Sequence, residues 1–369
     1  MRHYVLDART ATPHFPGIGR YVTGLAGALS PLLEPDEELT LLHHPAHPLK
    51  LPPASGISSI SWAGSPFGLT QQSALPRLLA KLGAGLYHSP YYLMPYRPGV
   101  ATLLTVYDLI PMLFPRQTTA RARLLFRWAM VLALRTARRV IVISEATRND
   151  LLRHFTVAPE RAVTIMPAAD PAFRSQPPEA VAAIRARFGL PEQFVLYLGS
   201  NKPHKNLVRL VEAWAATARS TTASLVVAGA WDPRYDEARR RAEALGLRES
   251  TCFVGRVPEA DLSGLYTAAT AFVFPSLYEG FGLPVIEAMS CGTPVACANA
   301  SSLPEVAGDA ALLFDPLDVS AIASALERLL ADAGLRQELA RRGLGRAAGF
   351  SWTTAAQGHL AIYREEIAR

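Results

Sequence analysis

The sequence predicts an α/β protein with two successive domains, each a parallel sheet covered by helices on both faces. Three observations support this prediction. The chain has 369 residues, which is more than one hydrophobic core usually holds. Short apolar runs that suit buried strands alternate with longer helical stretches. Prolines accumulate between Pro167 and Pro191, as is typical of a domain boundary.

The first domain is predicted to span residues 1–172. Its first strand ends at Asp7, and Gly17-Ile-Gly19 then opens a helix that runs to about Leu33. The segment 44–68 is rich in Pro, Ser and Gly and is expected to be loop with short strands. Further strands are predicted at 39–43, 86–89, 101–107, 140–144 and 163–166.

Gly17 and Gly19 lie where the first strand meets the first helix. This is the carboxyl edge of the predicted sheet, where ligands bind in such folds. A third glycine is missing, so the pattern is a poor dinucleotide fingerprint. The neighbouring Arg20 either reaches an anion there or lies on the helix surface.

The second domain is predicted to span residues 173–352 and repeats the alternation of strands and helices. A last amphipathic helix is expected from Trp352 to Arg369. Strands are predicted at 194–198, 225–228, 251–254, 271–274, 294–297 and 311–314.

The stretch from Phe274 to Glu287 has the features of a phosphate site. A strand is followed by a loop with two glycines, and Pro284 stands where a helix would begin. Unpaired N–H groups and the positive end of the helix would meet there. Glu279 and Glu287 flank the loop, and carboxylates prefer hydroxyls to phosphates. The combination suits a nucleotide sugar, whereas the alternative is an ordinary tight turn.

A second candidate segment, 199–206, follows the predicted strand 194–198. Only four of the 37 basic residues of the chain are lysine, and Lys202 and Lys205 are two of them. A compact ammonium is therefore indicated here. Lys205 beside the start of a helix near Leu207 would neutralise a diphosphate, and the alternative is a surface turn.

Composition excludes several other classes of protein. Half of the residues are hydrophobic and the mean hydropathy is +0.14, which argues against disorder. No apolar run reaches the roughly 18 residues that span a bilayer. Cys252, Cys291 and Cys297 do not form a disulfide or zinc pattern, so we expect buried thiols in a reducing cytosol. The chain contains no Asp-x-Asp and no histidine spacing typical of metal ligands.

Charge is concentrated in the first domain. The segment 116–153 holds 9 basic and 2 acidic residues. Aromatic residues and glycines are not interleaved as in a single-strand platform, so nucleic acid is not the expected partner. An anionic membrane or an acidic acceptor is one interpretation, and solvated helix faces are the other. We interpret the apolar stretch 124–134 as a helix packed on its own domain. Contact of this helix with a membrane is the alternative, because arginines flank the stretch on both sides.

The stretch from Phe274 to Glu287 also resembles the donor motif of retaining GT-B glycosyltransferases of family 4. The similarity covers nearly the whole chain and is strongest from Phe194 to Pro316. The other matching segments are Gly199 with Lys205-Asn206, Phe253-Val-Gly-Arg-Val257, Ser301–Glu305, Asp7-Ala-Arg9, Gly17–Tyr21 and Ser144-Glu-Ala-Thr.

This resemblance implies a GT-B fold, in which two Rossmann-like domains face each other across a cleft. Residues 1–172 would be the acceptor domain, joined by the C-terminal helix 353–369, and residues 173–352 the donor domain. Transfer would be retaining and independent of metal, with no cofactor besides the donor substrate.

The resemblance also assigns roles to residues. Glu279 would contact the hydroxyls of the sugar and Glu287 the ribose, while Lys205 holds the leaving diphosphate. Glu279 and Lys205 are thus the expected catalytic residues. The full expected donor-binding set is Gly17, Gly19, Ser200, Lys205, Arg256, Val257, Glu279, Gly280, Phe281, Gly282, Leu283 and Glu287.

Three positions depart from the family pattern. Ser200 stands where an arginine is common, so one cationic contact is either lost or supplied by Lys202 or Arg256. Tyr107-Asp108 replaces a frequent His-Asp, and the segment 166–170 lacks a usual glycine.

The segments 17–21 and 108–111 look most like bacterial mannosyltransferases of surface-polysaccharide assembly. We therefore expect hexose transfer to a glycan or lipid-pyrophosphate-linked acceptor, with GDP-mannose as the first choice of donor. The expected location is the cytoplasm, with peripheral contact at the inner face of the cell membrane through 116–153. Alternatives are a UDP- or ADP-sugar donor, a phosphorylase or epimerase, and a degenerate binding protein without turnover.

Overall fold

The computed structural model describes residues 1–12, 15–49 and 56–369. They divide into two compact units. Unit 1 comprises Met1–Ala168 and Ser351–Arg369, and unit 2 comprises Ala169–Phe350. The first boundary lies inside the proline-rich segment that begins at Pro167.

Within its described residues, unit 1 contains a seven-stranded parallel sheet in the order β3-β2-β1-β4-β5-β6-β7. The strands are β1 (Arg2–Asp7), β2 (Glu37–His43), β3 (Ile57–Ser61), β4 (Leu86–Ser89), β5 (Ala101–Val106), β6 (Arg139–Val142) and β7 (Ala162–Thr164). Every residue of β5 is buried, including its two threonines, Thr102 and Thr105, as is typical of a parallel strand covered on both faces.

The helices of unit 1 that precede the boundary are α1 (Pro16–Leu29), α2 (Gln71–Lys81), α3 (Ile110–Leu113), α4 (Ala120–Thr136) and α5 (Glu145–His154). Helix α1 ends earlier than the predicted Leu33 and continues as a 3-10 turn over Ser30–Leu32. Pro31 explains the difference, because it has no N–H to continue the α-helical ladder.

Helix α4 packs on unit 1, as predicted for the stretch 124–134, but only along one of its faces. Phe126, Met130 and Leu134 do join the core of unit 1. Leu125 and Trp128, however, are 67% and 62% exposed. The helix therefore carries apolar side chains on two opposite faces.

Unit 2 contains a six-stranded parallel sheet in the order β10-β9-β8-β11-β12-β13. The strands are β8 (Phe194–Leu198), β9 (Ser224–Ala228), β10 (Thr251–Gly255), β11 (Ala271–Phe274), β12 (Val295–Ala298) and β13 (Ala311–Phe314). The helices are α6 (Pro178–Phe188), α7 (Leu207–Thr217), α8 (Glu237–Ala244), α9 (Glu259–Ala268), α10 (Leu283–Ser290), α11 (Leu303–Ala307), α12 (Val319–Ala331) and α13 (Ala333–Ala348). Two successive parallel α/β units are thus confirmed.

The C-terminal helix α14 (Trp352–Ala368) belongs to unit 1. Ser351 caps it by accepting hydrogen bonds from the amides of Thr353 and Thr354. His359 contacts the Tyr21 hydroxyl of α1 over 2.6 Å. A Cβ at Gly24 would lie 2.3 Å from the Trp352 ring, so this glycine allows the two helices to approach.

The three cysteines are free thiols, with Cys291 and Cys297 buried and Cys252 half-buried. None of the helices in the described part of the chain has the length and apolarity that crossing a bilayer requires.

Candidate active site

The candidate site lies at the carboxyl edge of the unit 2 sheet, where β8 and β11 are neighbours. The strands that follow β8 in sequence extend to one side, and the strands that follow β11 extend to the other. The chain therefore leaves the two central strands in opposite directions and opens a crevice between their loops. Such switch points are the usual ligand sites of open α/β sheets.

The loop after β8 is fastened to the loop after β11. The Asn206 side-chain amide donates to the carbonyls of Pro275 at 3.1 Å and Pro316 at 2.7 Å. The Leu277 amide donates to the His204 carbonyl at 2.7 Å. Asn206 itself has φ +61°, a conformation that asparagine tolerates better than most residues.

These ties bring Lys205 and Glu279 together. Lys205 Nζ lies 2.6 Å from Glu279 Oε1, and the two side chains are 16% and 12% exposed. The ammonium also lies 5.4 Å from the centre of the Phe274 ring. The pair is sheltered enough for strong electrostatics yet remains open to a ligand.

The glycine loop is held from the side by a serine turn. Ser301 and Ser302 donate to the Glu279 carbonyl at 2.7 and 3.0 Å, and Ser302 also donates to Phe281 at 2.6 Å. Gly282 has φ +114°, and a Cβ there would lie 2.7 Å from a Leu303 methyl. Both observations require glycine immediately before α10.

Helix α10 starts at Leu283, next to this loop, and its first N–H groups have no acceptors within the helix. The positive end of the helix therefore lies beside Gly280, Phe281 and Gly282, as predicted. One turn further on, Glu287 is 1% exposed and accepts a hydrogen bond from Tyr266 at 3.0 Å.

Gly229, which sequence analysis missed, lies at the same edge. Gly199, Gly229 and Gly255 end β8, β9 and β10, and the Gly229 amide donates to the Gly255 carbonyl at 2.8 Å. A Cβ at Gly229 would lie 2.0 Å from the Gly199 carbonyl oxygen. The repeated strand-then-glycine pattern was the available signal.

Asn201 was also missed. Its side chain is 5% exposed and donates to the carbonyls of Asp232 at 2.8 Å and Tyr235 at 2.7 Å, while accepting from the Asp232 amide at 2.7 Å. It thus fixes the loop after β9 against the loop after β8. Its position next to Ser200 was the only hint in the sequence.

The remaining cationic candidates are not enclosed. Lys202 and Arg256 are exposed, whereas Val257 is buried at 8% exposure. The Ser200 carbonyl accepts a hydrogen bond from the Tyr197 hydroxyl at 2.7 Å. Because their side chains are exposed, Lys202 and Arg256 can each approach an anion at this edge.

Two neighbouring groups have shifted pKa values. Burial, together with the charges of Lys205 and Lys202, lowers the pKa of His204 to about 3. Burial and the nearby Glu279 raise the pKa of Tyr197 well above its usual value. Both groups are neutral near pH 7, so Lys205 is the cation that faces Glu279.

Three sequence candidates lie in unit 1. Gly17 is exposed and Gly19 half-buried in the first turn of α1, and neither has a positive φ. Tyr107 packs edge-on against Tyr21 at 5.2 Å. Its hydroxyl is buried with no hydrogen-bond partner among the described residues.

The described residues contain no group of three His, Cys, Asp or Glu side chains arranged to hold a metal ion.

Two families match successive parts of the chain. The family described as Glycosyltransferase Family 4 matches residues 17–173, and Glycosyl transferases group 1 matches residues 182–346.

Curated relatives agree with these families. The chain is 33% identical to the O-antigen chain mannosyltransferase B of Escherichia coli, over 76% of this chain and 74% of that protein. It is 32% identical to the serotype-specific mannosyltransferase WbdA of Escherichia coli, over 71% of this chain but 33% of that protein. It is 34% identical to the D-inositol 3-phosphate glycosyltransferase of Frankia alni, over 62% of this chain and 59% of that protein.

Solved structures share the fold. The sucrose-phosphate synthase of Thermosynechococcus elongatus superposes with a TM-score of 0.77 at 23% identity, covering all of both chains. Anabaena HepE, in complex with UDP and glucose, superposes with a TM-score of 0.78 at 18% identity, covering 99% of this chain and all of that one. These likenesses confirm the predicted GT-B fold class. The protein belongs to the family 4 glycosyltransferases and is a hexosyltransferase.

Proposed function

We propose that the protein is a retaining transferase that moves mannose from GDP-mannose to a glycan or lipid-pyrophosphate-linked acceptor. The observation that carries this proposal is the meeting of Lys205, Glu279 and the start of α10 at one switch point. This arrangement places a cation and free amides beside a carboxylate. The cation and the amides suit a phosphate, and the carboxylate suits the hydroxyls of a sugar.

In this proposal, Lys205 and the amides of Phe281, Gly282 and Leu283 bind the diphosphate. Negative charge develops on the diphosphate as the bond to the sugar breaks. Fixed positive groups at that position stabilise the transition state more than the ground state. The binding of diphosphate would also displace Glu279 from Lys205 and free its carboxylate for the sugar.

The other donor contacts follow the same edge of the sheet. Glu287 would bind the ribose, with Tyr266 holding its carboxylate in place. The loop with Arg256 and Val257 would receive the base, while Arg256 or Lys202 supplies the charge that Ser200 lacks. The protein thus provides cations of its own, and we propose that transfer needs neither metal nor cofactor.

The chemical step is proposed to retain the anomeric configuration. The acceptor oxygen forms a bond to the anomeric carbon while the bond to the donor phosphate oxygen breaks. The proton of the acceptor hydroxyl passes to the leaving phosphate oxygen, so the products are the glycoside and the nucleoside diphosphate. This step follows the family resemblance and uses no protein base.

Mannose is favoured by the two mannosyltransferase relatives from Escherichia coli, of which the first is an O-antigen chain enzyme. A lipid-linked acceptor at the inner face of the membrane is favoured by the basic segment 116–153. Anionic headgroups and pyrophosphate both attract such a segment.

The first experiment is a thermal-shift panel with GDP, UDP and ADP, each without metal and then with Mg²⁺. A ligand at 100 times its Kd stabilises the fold by about 2.7 kcal/mol. We expect a shift with GDP that does not need Mg²⁺. A thermal shift with UDP or ADP alone would exclude GDP-mannose as the donor. A shift that appears only with Mg²⁺ would contradict the proposal that transfer needs no metal.

Two variants separate binding from transfer. Lys205→Gln should abolish the GDP shift. Glu279→Gln should keep or increase it, because the carboxylate no longer competes for Lys205, while transfer falls by about 100-fold or more. Full GDP binding with no transfer by the wild type would indicate a degenerate binding protein. Unchanged transfer by Glu279→Gln would refute the assigned sugar contact.

The anomeric outcome is tested on the product. The proposal predicts an α-mannoside from the α-linked donor, observed by NMR of the anomeric proton and carbon. A β-mannoside would exclude retention.

A further inference from the structure

Helix α4 carries an apolar stripe on its solvent face. Leu124, Leu125, Trp128 and Leu132 are 58%, 67%, 62% and 40% exposed. Positions 125, 128 and 132 follow a spacing of three and four residues, so they lie along one side of the helix. Phe126, Met130 and Leu134 occupy the opposite side, inside the core. Solvent-exposed large side chains in such a row mark an interaction surface.

The charges around this stripe have one sign. Arg121 precedes Leu125 by one turn and Arg135 follows Leu132 by one turn, so the two arginines bracket the stripe. Both are exposed. From residue 109 to residue 144 the chain contains seven arginines and no acidic residue.

Most of these cations are also unneutralised. Among the described residues, no ion pair joins Arg116, Arg121, Arg123, Arg127 or Arg135 to a carboxylate. Elsewhere in the same unit, Arg139 is paired with Glu365 and Glu366. The uncompensated charge is therefore a property of α4 and the turn before it.

We propose that this face of α4, defined by Leu124, Leu125, Trp128 and Leu132 with Arg121 and Arg135, docks on an anionic lipid bilayer. The stripe would enter the headgroup layer, with Trp128 at the interface, where aromatic rings are favoured. The arginines would bind lipid phosphates. A protein partner or a second copy would need acidic groups to match the five arginines that lack an ion pair, whereas a bilayer supplies negative charge without a matching shape.

The inference deepens the proposed function, because a bilayer-bound enzyme meets a lipid-linked acceptor in two dimensions. It differs from a purely electrostatic contact of the segment 116–153 in one respect. Insertion of the apolar stripe requires that binding persist in part at high salt, since hydrophobic contacts are not screened.

The test is co-sedimentation of the whole protein with vesicles of phosphatidylglycerol and phosphatidylcholine, compared with pure phosphatidylcholine. We expect binding to the anionic vesicles and little to the neutral ones. The double variant Leu125→Ala/Trp128→Ala should lower the partition coefficient about tenfold or more. Arg121→Gln/Arg135→Gln should lower it about fivefold for each arginine at low salt. Leu344→Ala, at a 47% exposed leucine on α13, is the matched control and should leave binding unchanged.

Several results would overturn the proposal. One is the absence of wild-type binding at low salt, and another is equal binding by Leu125→Ala/Trp128→Ala. If the wild type forms a dimer in solution and Leu125→Ala/Trp128→Ala is monomeric, the face binds a second copy of the chain instead. The GDP-induced thermal shift of the same variants should not change. Vesicle binding and nucleotide binding therefore succeed or fail separately.

Discussion

Each unit places an ion pair at the carboxyl edge of its sheet, and the two pairs are built for different tasks. In unit 1, Arg9 lies 2.6 Å from Asp7, with side chains 0% and 6% exposed. In unit 2, Lys205 and Glu279 lie at the same distance but are 16% and 12% exposed.

The partners around the pairs differ more than the exposure does. Asp7 also accepts from the Tyr87 hydroxyl at 2.6 Å, and Arg9 also donates to Gln71 at 3.1 Å and lies over the Trp62 ring at 4.5 Å. Lys205 donates to Glu279 alone among the described residues, which leaves two of its three N–H groups for a ligand. A saturated, buried pair holds loops together, whereas an unsaturated pair at a crevice can exchange partners.

The largest expected effect concerns the stability of unit 1. Arg9→Met should lower the free energy of unfolding by about 3–5 kcal/mol, because it leaves the Asp7 carboxylate buried without its cation. Denaturant unfolding followed by circular dichroism measures this. Lys205→Met is the matched comparison and should cost less than about 1 kcal/mol, since Glu279 can turn to water. Equal losses in the two variants would erase the distinction between the pairs.

The next effect concerns catalysis, and here the loss of the cation in unit 2 is the one that should matter. Lys205→Met should lower kcat/KM by about 100- to 1,000-fold, because the leaving diphosphate loses its cation. Steady-state kinetics with the donor found in the nucleotide panel checks this. Lys81→Met, at an exposed lysine at the end of α2, should have no effect. A similar loss in both variants would show a general need for charge instead of a specific site.

Acid should weaken both units through buried histidines. Burial lowers the pKa of His359 to about 4 in unit 1 and that of His204 to about 3 in unit 2. The unfolded chain, with a histidine pKa near 6.5, therefore binds more protons as the pH falls below that value. Stability present at pH 7 is lost in this window, by about 2 kcal/mol for each histidine at pH 5.

Unit 1 should respond more steeply, because burial also lowers the pKa of His88 well below its usual value. Unfolding measured between pH 7 and pH 4, with His359→Gln as the variant that flattens the curve, tests this. A curve unchanged by His359→Gln would show that the buried imidazole does not control acid stability.

The smallest expected effect is at the second carboxylate of the site. Tyr266→Phe removes the hydroxyl that donates to Glu287 and should weaken donor binding by about 1 kcal/mol, with kcat nearly unchanged. Calorimetric titration with GDP-mannose measures the change. A large fall in kcat would instead place Glu287 close to the reacting atoms.

The strands and the loops that bear the site could be predicted from the chain alone. The predicted strands 194–198, 271–274 and 311–314 coincide with Phe194–Leu198, Ala271–Phe274 and Ala311–Phe314. Strands of a parallel sheet covered on both faces are short apolar runs that stand out between glycines and prolines. The loops with Lys205 and Glu279 follow two of these strands directly, so their place at the carboxyl edge required no tertiary information.

Only the tertiary structure decided which side chains meet. Lys205 and Glu279 are 74 positions apart, and their contact depends on β8 and β11 being neighbours, which local sequence does not encode. The three hydrogen bonds of the Asn201 side chain and the burial of Arg9 also depend on loops that are distant in sequence. For α4, apolar residues occur around most of the helix, so periodicity could not show which of them face the core. Packing settled that question, because one helix face fits the sheet and the other is left to solvent.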